Sequence, residues 1–398
     1  MIVFGPGAAP AYAAITAEDN QIFAVGDYKV KVIHTPGHTM ESTTYLLIDE
    51  NGSEYGIITG DTLFIGDVGR PDLAQHVVSD LTEEKLAGHL YDSLRKKIMP
   101  LSDDLIVFPN HGAGSACGKM MSKETTDTLG NQKKYNYALR PDMTKEEFIK
   151  ELLTGLTAPP SYFPKNVLMN IKGYDSLDDV KNRAETPLNT EAFEAAANDT
   201  GALILDTRNA EEFAKGFIPN SINIGLDGNF AQWVGELIPD VKQQILLITD
   251  PGKEDEAITR LSRVGYDYTI GYLKGGFTSW SKADKPYNTV DRVDANIIAS
   301  KYEDKPLVFD VRKNSEFDSE HIIGAENIPL NEINEHLSKI PKHKQVYLHC
   351  AGGYRSMIAA SILKQRGWDK VKDIRGGFKA LAETEIPISD FVCPTTLL

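Results

Sequence analysis

Three cysteines in 398 residues, Cys117, Cys350 and Cys393, are too few and too scattered for a disulfide framework. That scarcity fits a reducing compartment and leaves each thiol to be read on its own. Positive charge is also short: 42 Lys and Arg against 57 Asp and Glu leave a formal net charge of -15. The average surface therefore repels phosphate backbones, which argues against nucleic acid as a partner, and an anionic substrate needs local groups to hold it. No apolar run is long enough to span a bilayer, so no membrane partner is expected. The opening MIVFGPGAAP lacks the basic and long apolar regions of a signal peptide. It reads as a strand and turn, and the expected address is cytoplasmic.

What is present is the composition of a soluble globular protein, 41% hydrophobic and 25% charged, over a length that calls for more than one core. The clearest large-scale feature is an internal repeat. LILDTRNAEEFAKGFIPNSINI, beginning at Leu203, aligns without a gap with LVFDVRKNSEFDSEHIIGAENI, beginning at Leu307. Asp206 then matches Asp310, and Arg208 matches Arg312. A second pair of apolar strands follows, QILLITD ending at Asp250 and QVYLHC ending at Cys350, and then the paired tags KGGF and RGGF. Within each copy short apolar strands alternate with amphipathic stretches, which predicts a parallel sheet with helices on both faces. The segment ahead of the repeats has period-two strands such as YKVKVIHT and TTYLLIDE between Gly-rich turns, and its expected character is α+β. The expected boundaries are a front domain at 1–155, an extended connector at 156–186 containing APPSYFP, and the two copies at 187–290 and 291–398.

Cys350 stands at the end of a buried strand, before a short loop and a helix in VYLHCAGGYRSMIAASIL. Inward-pointing N–H groups of such a loop, with the positive end of the helix, stabilise a thiolate or bound anion, so the thiol pKa is expected to fall and Cys350 to act as nucleophile. Ala351, Gly352, Gly353, Tyr354 and Arg355 are the expected substrate cradle. A buried structural thiol is the plain alternative. Asp310 and Arg312 are read as a buried charge pair beside the site rather than as chemistry.

LVFDVR, EHIIGAENIP, HCAGGYRS and RGGF in this order resemble a rhodanese domain over nearly all of residues 291–385. The resemblance implies transfer of sulfane sulfur through a persulfide on Cys350. Related phosphatases of the same fold have one more residue between cysteine and arginine; here four separate Cys350 from Arg355. In the first copy Asp250 is read at the cysteine position, in ITDPGKEDEA, which makes 187–290 catalytically silent, a spacer or docking surface.

The front segment offers HTPGHTMESTTY with His34 and His38, ITGDTLFIGDVGRPDL with Asp61, Asp67 and Arg70, and VFPNHGAGSACG with His111 and Cys117. Histidines and aspartates at strand ends beside glycine turns are placed as metal ligands from several loops usually are. Together they resemble the metallo-β-lactamase fold, most of all its persulfide dioxygenase branch fused to rhodanese domains. The resemblance implies a mononuclear Fe(II), with zinc the alternative, held by His38 and Asp61. It also implies His111 near the pocket without ligating, and Arg70 on the carboxylates of a glutathione-like persulfide. Cys117 is left open between pocket and core. The branch's first ligand motif, H-x-H-x-D-H, occurs nowhere in the sequence, so one ligand histidine is missing and the αββα sandwich is expected to be incomplete, the chain being a fragment or, alternatively, a domain that has lost its metal and its activity. The expected function is a persulfide dioxygenase–sulfurtransferase fusion for sulfide detoxification, acting on thiol persulfide, thiosulfate or sulfite and expected to be a homo-oligomer. A glyoxalase II-type thioester hydrolase, and a carrier or scaffold in which only Cys350 reacts, stand beside it.

Overall fold

The computed structural model describes residues 2–73, 81–115, 117–156 and 162–393. Met1 and residues 157–161 of the connector lie outside the described residues, while the opening strand is present at Val3–Phe4, paired in parallel with Ile15–Thr16. The chain divides into two compact units, Met1–Tyr174 and Asp175–Leu398. No helix among the described residues is long and apolar enough to cross a membrane.

In the first unit a six-stranded mixed sheet runs in the order Ile22–Val25, Tyr28–His34, Thr43–Ile48, Glu54–Gly60, Ile106–Pro109, Asp127–Thr128. Tyr28–His34 and Glu54–Gly60 are each antiparallel to Thr43–Ile48, and Glu54–Gly60 is parallel to Ile106–Pro109. Three strands therefore end on the same edge, and the segments leaving them carry His38, Asp61 and His111. The parallel pair requires a crossover. It is provided by the helix Glu83–Ser93, begun by the Thr82 side chain, which accepts from Lys85 N–H. Leu90 and Leu94 pack from that side onto Ile33, Leu46 and Ile57 in one buried core.

The second unit holds two five-stranded, wholly parallel sheets of the same topology. The first runs Ile222–Asn223, Leu203–Asp206, Ile245–Ile248, Thr269–Leu273, Pro187–Leu188. The second runs Glu326–Asn327, Leu307–Asp310, Val346–His349, Val371–Ile374, Asp291–Val293. The repeat seen in sequence is thus a repeat of the whole sheet order. The expected charge pairs are present: Arg208 Nη2 lies 2.6 Å from Asp206 Oδ2, and Arg312 Nη2 lies 2.6 Å from Asp310 Oδ2, with each pair buried. Each guanidinium also lies over the phenylalanine of its own GGF tag, Phe277 or Phe378.

The connector is not extended where it is described. It forms Phe163–Lys172, with Pro in its first turn, and Leu177–Ala184, capped by Ser176 accepting from Asp179 N–H. The first helix is tied into the front unit by Ala11 N–H donating to Ile171 O at 2.7 Å. The second buries Val180 and Ala184 in the repeat unit. Leu177–Ala184 is marked in the sequence only by its capping Ser176, whereas Phe163–Lys172 has no side-chain cap and starts with Pro164 in its first turn.

Candidate functional sites

At the end of Val346–His349 the chain turns through Cys350, Ala351, Gly352 and Gly353 into the helix Tyr354–Gln365. Cys350 is buried, and its Sγ accepts the Gly353 N–H at 3.1 Å. The Ser356 Oγ lies 3.6 Å from the same sulfur. The loop is held from below by the RGGF tag: Phe378 N–H donates to Cys350 O at 2.6 Å and Lys379 N–H to Ala351 O at 3.2 Å. That approach requires Gly377, whose φ is +58 and whose added Cβ would stand 2.2 Å from Cys350 O. Gly377→Ala is expected to destabilise the repeat unit by about 2–3 kcal/mol, combining left-handed strain with a steric clash, and to lower its thermal midpoint accordingly. An unchanged midpoint by calorimetry would show that the tag does not support the loop.

Ala351 and Gly352 are exposed at the loop's outer face. Tyr354 and Arg355, expected in the cradle, are engaged by protein groups. The Tyr354 hydroxyl donates to Gly225 O in the first copy at 2.7 Å, and its ring is so close to Gly228 that an added Cβ there would lie 2.4 Å from it. Arg355 forms a fork with Glu316, at 2.6 and 2.8 Å. Burial raises the Glu316 carboxyl, but hydrogen bonding and the charge of Arg355 outweigh this and hold it below the usual range. An anion reaching Arg355 must share it with Glu316.

The first copy corrects one sequence match. Ile248 pairs with Asp206 as His349 pairs with Asp310, and Gly276 approaches Thr249 O as Gly377 approaches Cys350 O. Thr249, not Asp250, therefore stands at the cysteine position, because QILLITD and QVYLHC pair one residue out of step with their C-terminal residues. Thr249 is buried and its hydroxyl cannot carry sulfane sulfur, so this copy still lacks the nucleophile.

Four residues around Cys350 have no part in the sequence reading. Ser356 Oγ donates to Asp373 Oδ1 at 2.6 Å, Arg292 Nε donates to Asp373 Oδ2 at 2.8 Å, and Arg292 Nη1 pairs with Glu211 of the first copy. Glu316 is the fork partner just described. Ser356 was within reach of sequence reasoning, since it follows Arg355 directly; Asp373, Arg292 and Glu316 come from separate elements and carry no local signal.

In the front unit His38 Nδ1 donates to Arg70 O at 2.8 Å, because a carbonyl only accepts. In the neutral ring this leaves Nε2 bare, as a metal ligand must be. His38 Nε2 and His111 Nε2 each lie 3.4 Å from the same atom, Asp61 Oδ2. Ligand atoms of Asp61, His111 and Cys117 all lie within 4.8 Å of one another. His111, expected near the pocket only, thus meets Asp61 as closely as His38 does, and Cys117 stands with them. Hydrogen bonding to Asp61, then to Cys117, pushes the His111 imidazolium up to about 10. The carboxylate of Asp61 favours positive charge beside it, and the nitrogen, oxygen and sulfur donors of the group fit a divalent transition metal.

Arg70, expected to hold substrate carboxylates, is instead buried and forked onto Asp72 through Nε and Nη2, both at 2.6 Å. Its backbone serves the site, through its O to His38 and its N–H donated to Cys117 O at 3.0 Å. Asp67 is likewise structural: it accepts from Val68, Lys119 and Met120 N–H groups and so fastens the Cys117 loop to the Asp61 segment. His34 donates Nε2–H to Met40 O at 2.8 Å and is not in the group.

Comparison with known proteins agrees with this division. The rhodanese-like domain family matches residues 189–283 and 290–384. A sulfurtransferase of Allochromatium vinosum is 32% identical over 101 residues, 25% of this chain and 94% of that protein. A hydroxyacylglutathione hydrolase of Dictyostelium discoideum is 32% identical over 96 residues, 24% of this chain and 32% of that protein. The crystal structure of a metallo-β-lactamase from Staphylococcus aureus is similar with a TM-score of 0.56 at 31% identity, covering 68% of this chain and 73% of that one. The first curated relatives are matched over only part of their own length, 60% of one and 41% of three others.

Proposed function

We propose that this chain, which belongs to the rhodanese family and joins two rhodanese-like domains to a metallo-β-lactamase-like fold, serves sulfur metabolism by moving sulfane sulfur at Cys350. The observation that carries the reading is the buried Cys350 Sγ accepting the Gly353 N–H at the mouth of a helix. A sulfur anion there finds a donor already in place and a favourable helix dipole. The four-residue spacing to Arg355 suits a single sulfur better than a phosphate. The substrates are small sulfur compounds, thiosulfate or a thiol persulfide as donor and sulfite, cyanide or a thiol as acceptor.

The front unit is proposed to oxidise a thiol persulfide to sulfite. His38 and Asp61, with His111 and Cys117 adjoining, would hold iron(II), with zinc the alternative. Bound there, the ion would supply open coordination positions for persulfide and dioxygen. The protein's own part is to keep His38 Nε2 bare through the Arg70 carbonyl and to gather two imidazoles on one carboxylate. Gly69 lets this happen: an added Cβ would lie 2.0 Å from Asp61 O and 3.0 Å from His38 Nδ1. Two assays on one preparation test both halves, thiocyanate from thiosulfate and cyanide, and oxygen uptake on glutathione persulfide. Hydrolysis of a glutathione thioester with no oxygen uptake would replace the dioxygenase half with a hydrolase. Absence of thiocyanate would remove the sulfurtransferase half.

A further inference from the structure

The sulfur-transfer reading leaves open where the Cys350 proton goes, and the interior behind the loop contains a continuous path. Ser356 has one hydroxyl proton, and its Oγ lies 2.6 Å from Asp373 Oδ1 and 3.6 Å from Cys350 Sγ. With that proton given to the carboxylate, Oγ presents lone pairs toward the thiol. All three groups are buried, so water does not compete for these bonds. The groups facing Asp373 are Ser356 from the helix Tyr354–Gln365, Arg292 from the neighbouring strand, and Glu211 from the first copy. Arg292 is divided between Asp373 and Glu211, which keeps Asp373 from being fully neutralised by its cation.

We propose that Asp373, acting through Ser356, receives the Cys350 proton when the sulfur attacks its donor. This inference rests on sulfur transfer at Cys350. As Sγ–H passes its proton to Ser356 Oγ, Ser356 passes its own to Asp373 Oδ1. The Sγ electron pair forms a bond to the outer sulfur of thiosulfate, whose S–S bond breaks with its pair leaving on sulfite. No external oxidant or reductant is consumed. When cyanide removes the outer sulfur as thiocyanate, the pair returns to Sγ and the proton comes back along the same path. Asp373 is a positioning residue, since it touches the sulfur only through Ser356.

Burial, opposed by Arg292 and Ser356, pushes the Asp373 carboxyl up to about 6. An acceptor must be ionised, so transfer is lost as pH falls through that value and is steady above it. Without the path the proton must leave directly to base in solvent, a route that becomes easier as pH rises.

The test is the pH profile of thiocyanate formation, and of Cys350 alkylation by iodoacetamide resolved by peptide mass, for the intact chain, Ser356→Ala and Asp373→Asn. Ser356→Ala breaks the path while leaving the Arg292–Asp373 pair intact. The expected result is a loss of about a hundredfold at pH 7 in both variants. The loss should close to within about twofold at pH 9.5, with the limb near pH 6 absent from both. A uniform loss at every pH, or an unchanged profile, overturns the proposal. Absence of thiocyanate from the intact chain would instead count against sulfur transfer, and the alkylation profile would still test the path.

Discussion

Replacing Cys350 by serine is expected to reduce thiocyanate formation from thiosulfate and cyanide by at least about a thousandfold. A hydroxyl of similar size fills the same place beneath the Gly353 N–H, so the loop and its tag contacts to Phe378 and Lys379 should persist. What is lost is the atom: a serine oxygen at neutral pH is neither ionised nor able to carry sulfane sulfur, and covalent catalysis contributes through that intermediate alone. The two other cysteines offer no substitute. Cys117 lies in the front unit with Asp61 and His111, and Cys393 is exposed near the end of the described chain. Stopped-assay thiocyanate detection, with calorimetry showing an unchanged thermal midpoint, checks this. Residual turnover within tenfold of the parent would move the transfer chemistry to another residue.

The second large effect is expected from Asp61→Ala. Asp61 Oδ2 is the atom that His38 Nε2 and His111 Nε2 share, and its carboxylate is the anion of the group. Removing it takes away a donor and leaves two imidazoles facing one another without a counter-charge, a change larger than loss of a supporting contact, which alone costs 10–100-fold in affinity. Cobalt(II) or iron(II) binding is expected to weaken by more than about a hundredfold, and oxygen uptake on glutathione persulfide to disappear. Thiocyanate formation should remain, since Cys350 belongs to the other compact unit. In the parent chain a cobalt–thiolate absorption band, lost in Cys117→Ser, would identify Cys117 as a ligand. Metal binding unaffected by Asp61→Ala would place the ion elsewhere.

Features carried by local order were legible without coordinates. The gapless pairing of Leu203 with Leu307 announced two copies, because strand, turn and helix signals recur at one spacing. Cys350 stood out because strand, glycine loop and helix follow one another in the chain. His38 and Asp61 were marked by glycine turns at strand ends, and the sheet order explains why such ends meet. Features set by tertiary pairing were not legible. Arg70 read as a substrate clamp because its fork with Asp72, two residues on, depends on burial that no local pattern encodes. Thr249 was missed at the cysteine position because two strands of unequal lettering can be slid by one residue without spoiling either apolar run. Arg292, Asp373 and Glu211 come together from separate elements, and only the fold makes one network of them.

The most direct test of sulfur transfer at Cys350 is the mass of the peptide carrying that residue after anaerobic exposure of the intact chain to thiosulfate, followed by cyanide. A gain of one sulfur atom at Cys350, released as thiocyanate on adding cyanide and absent from Cys350→Ser, is the predicted result. An unmodified Cys350 peptide while thiocyanate still accumulates would contradict the account.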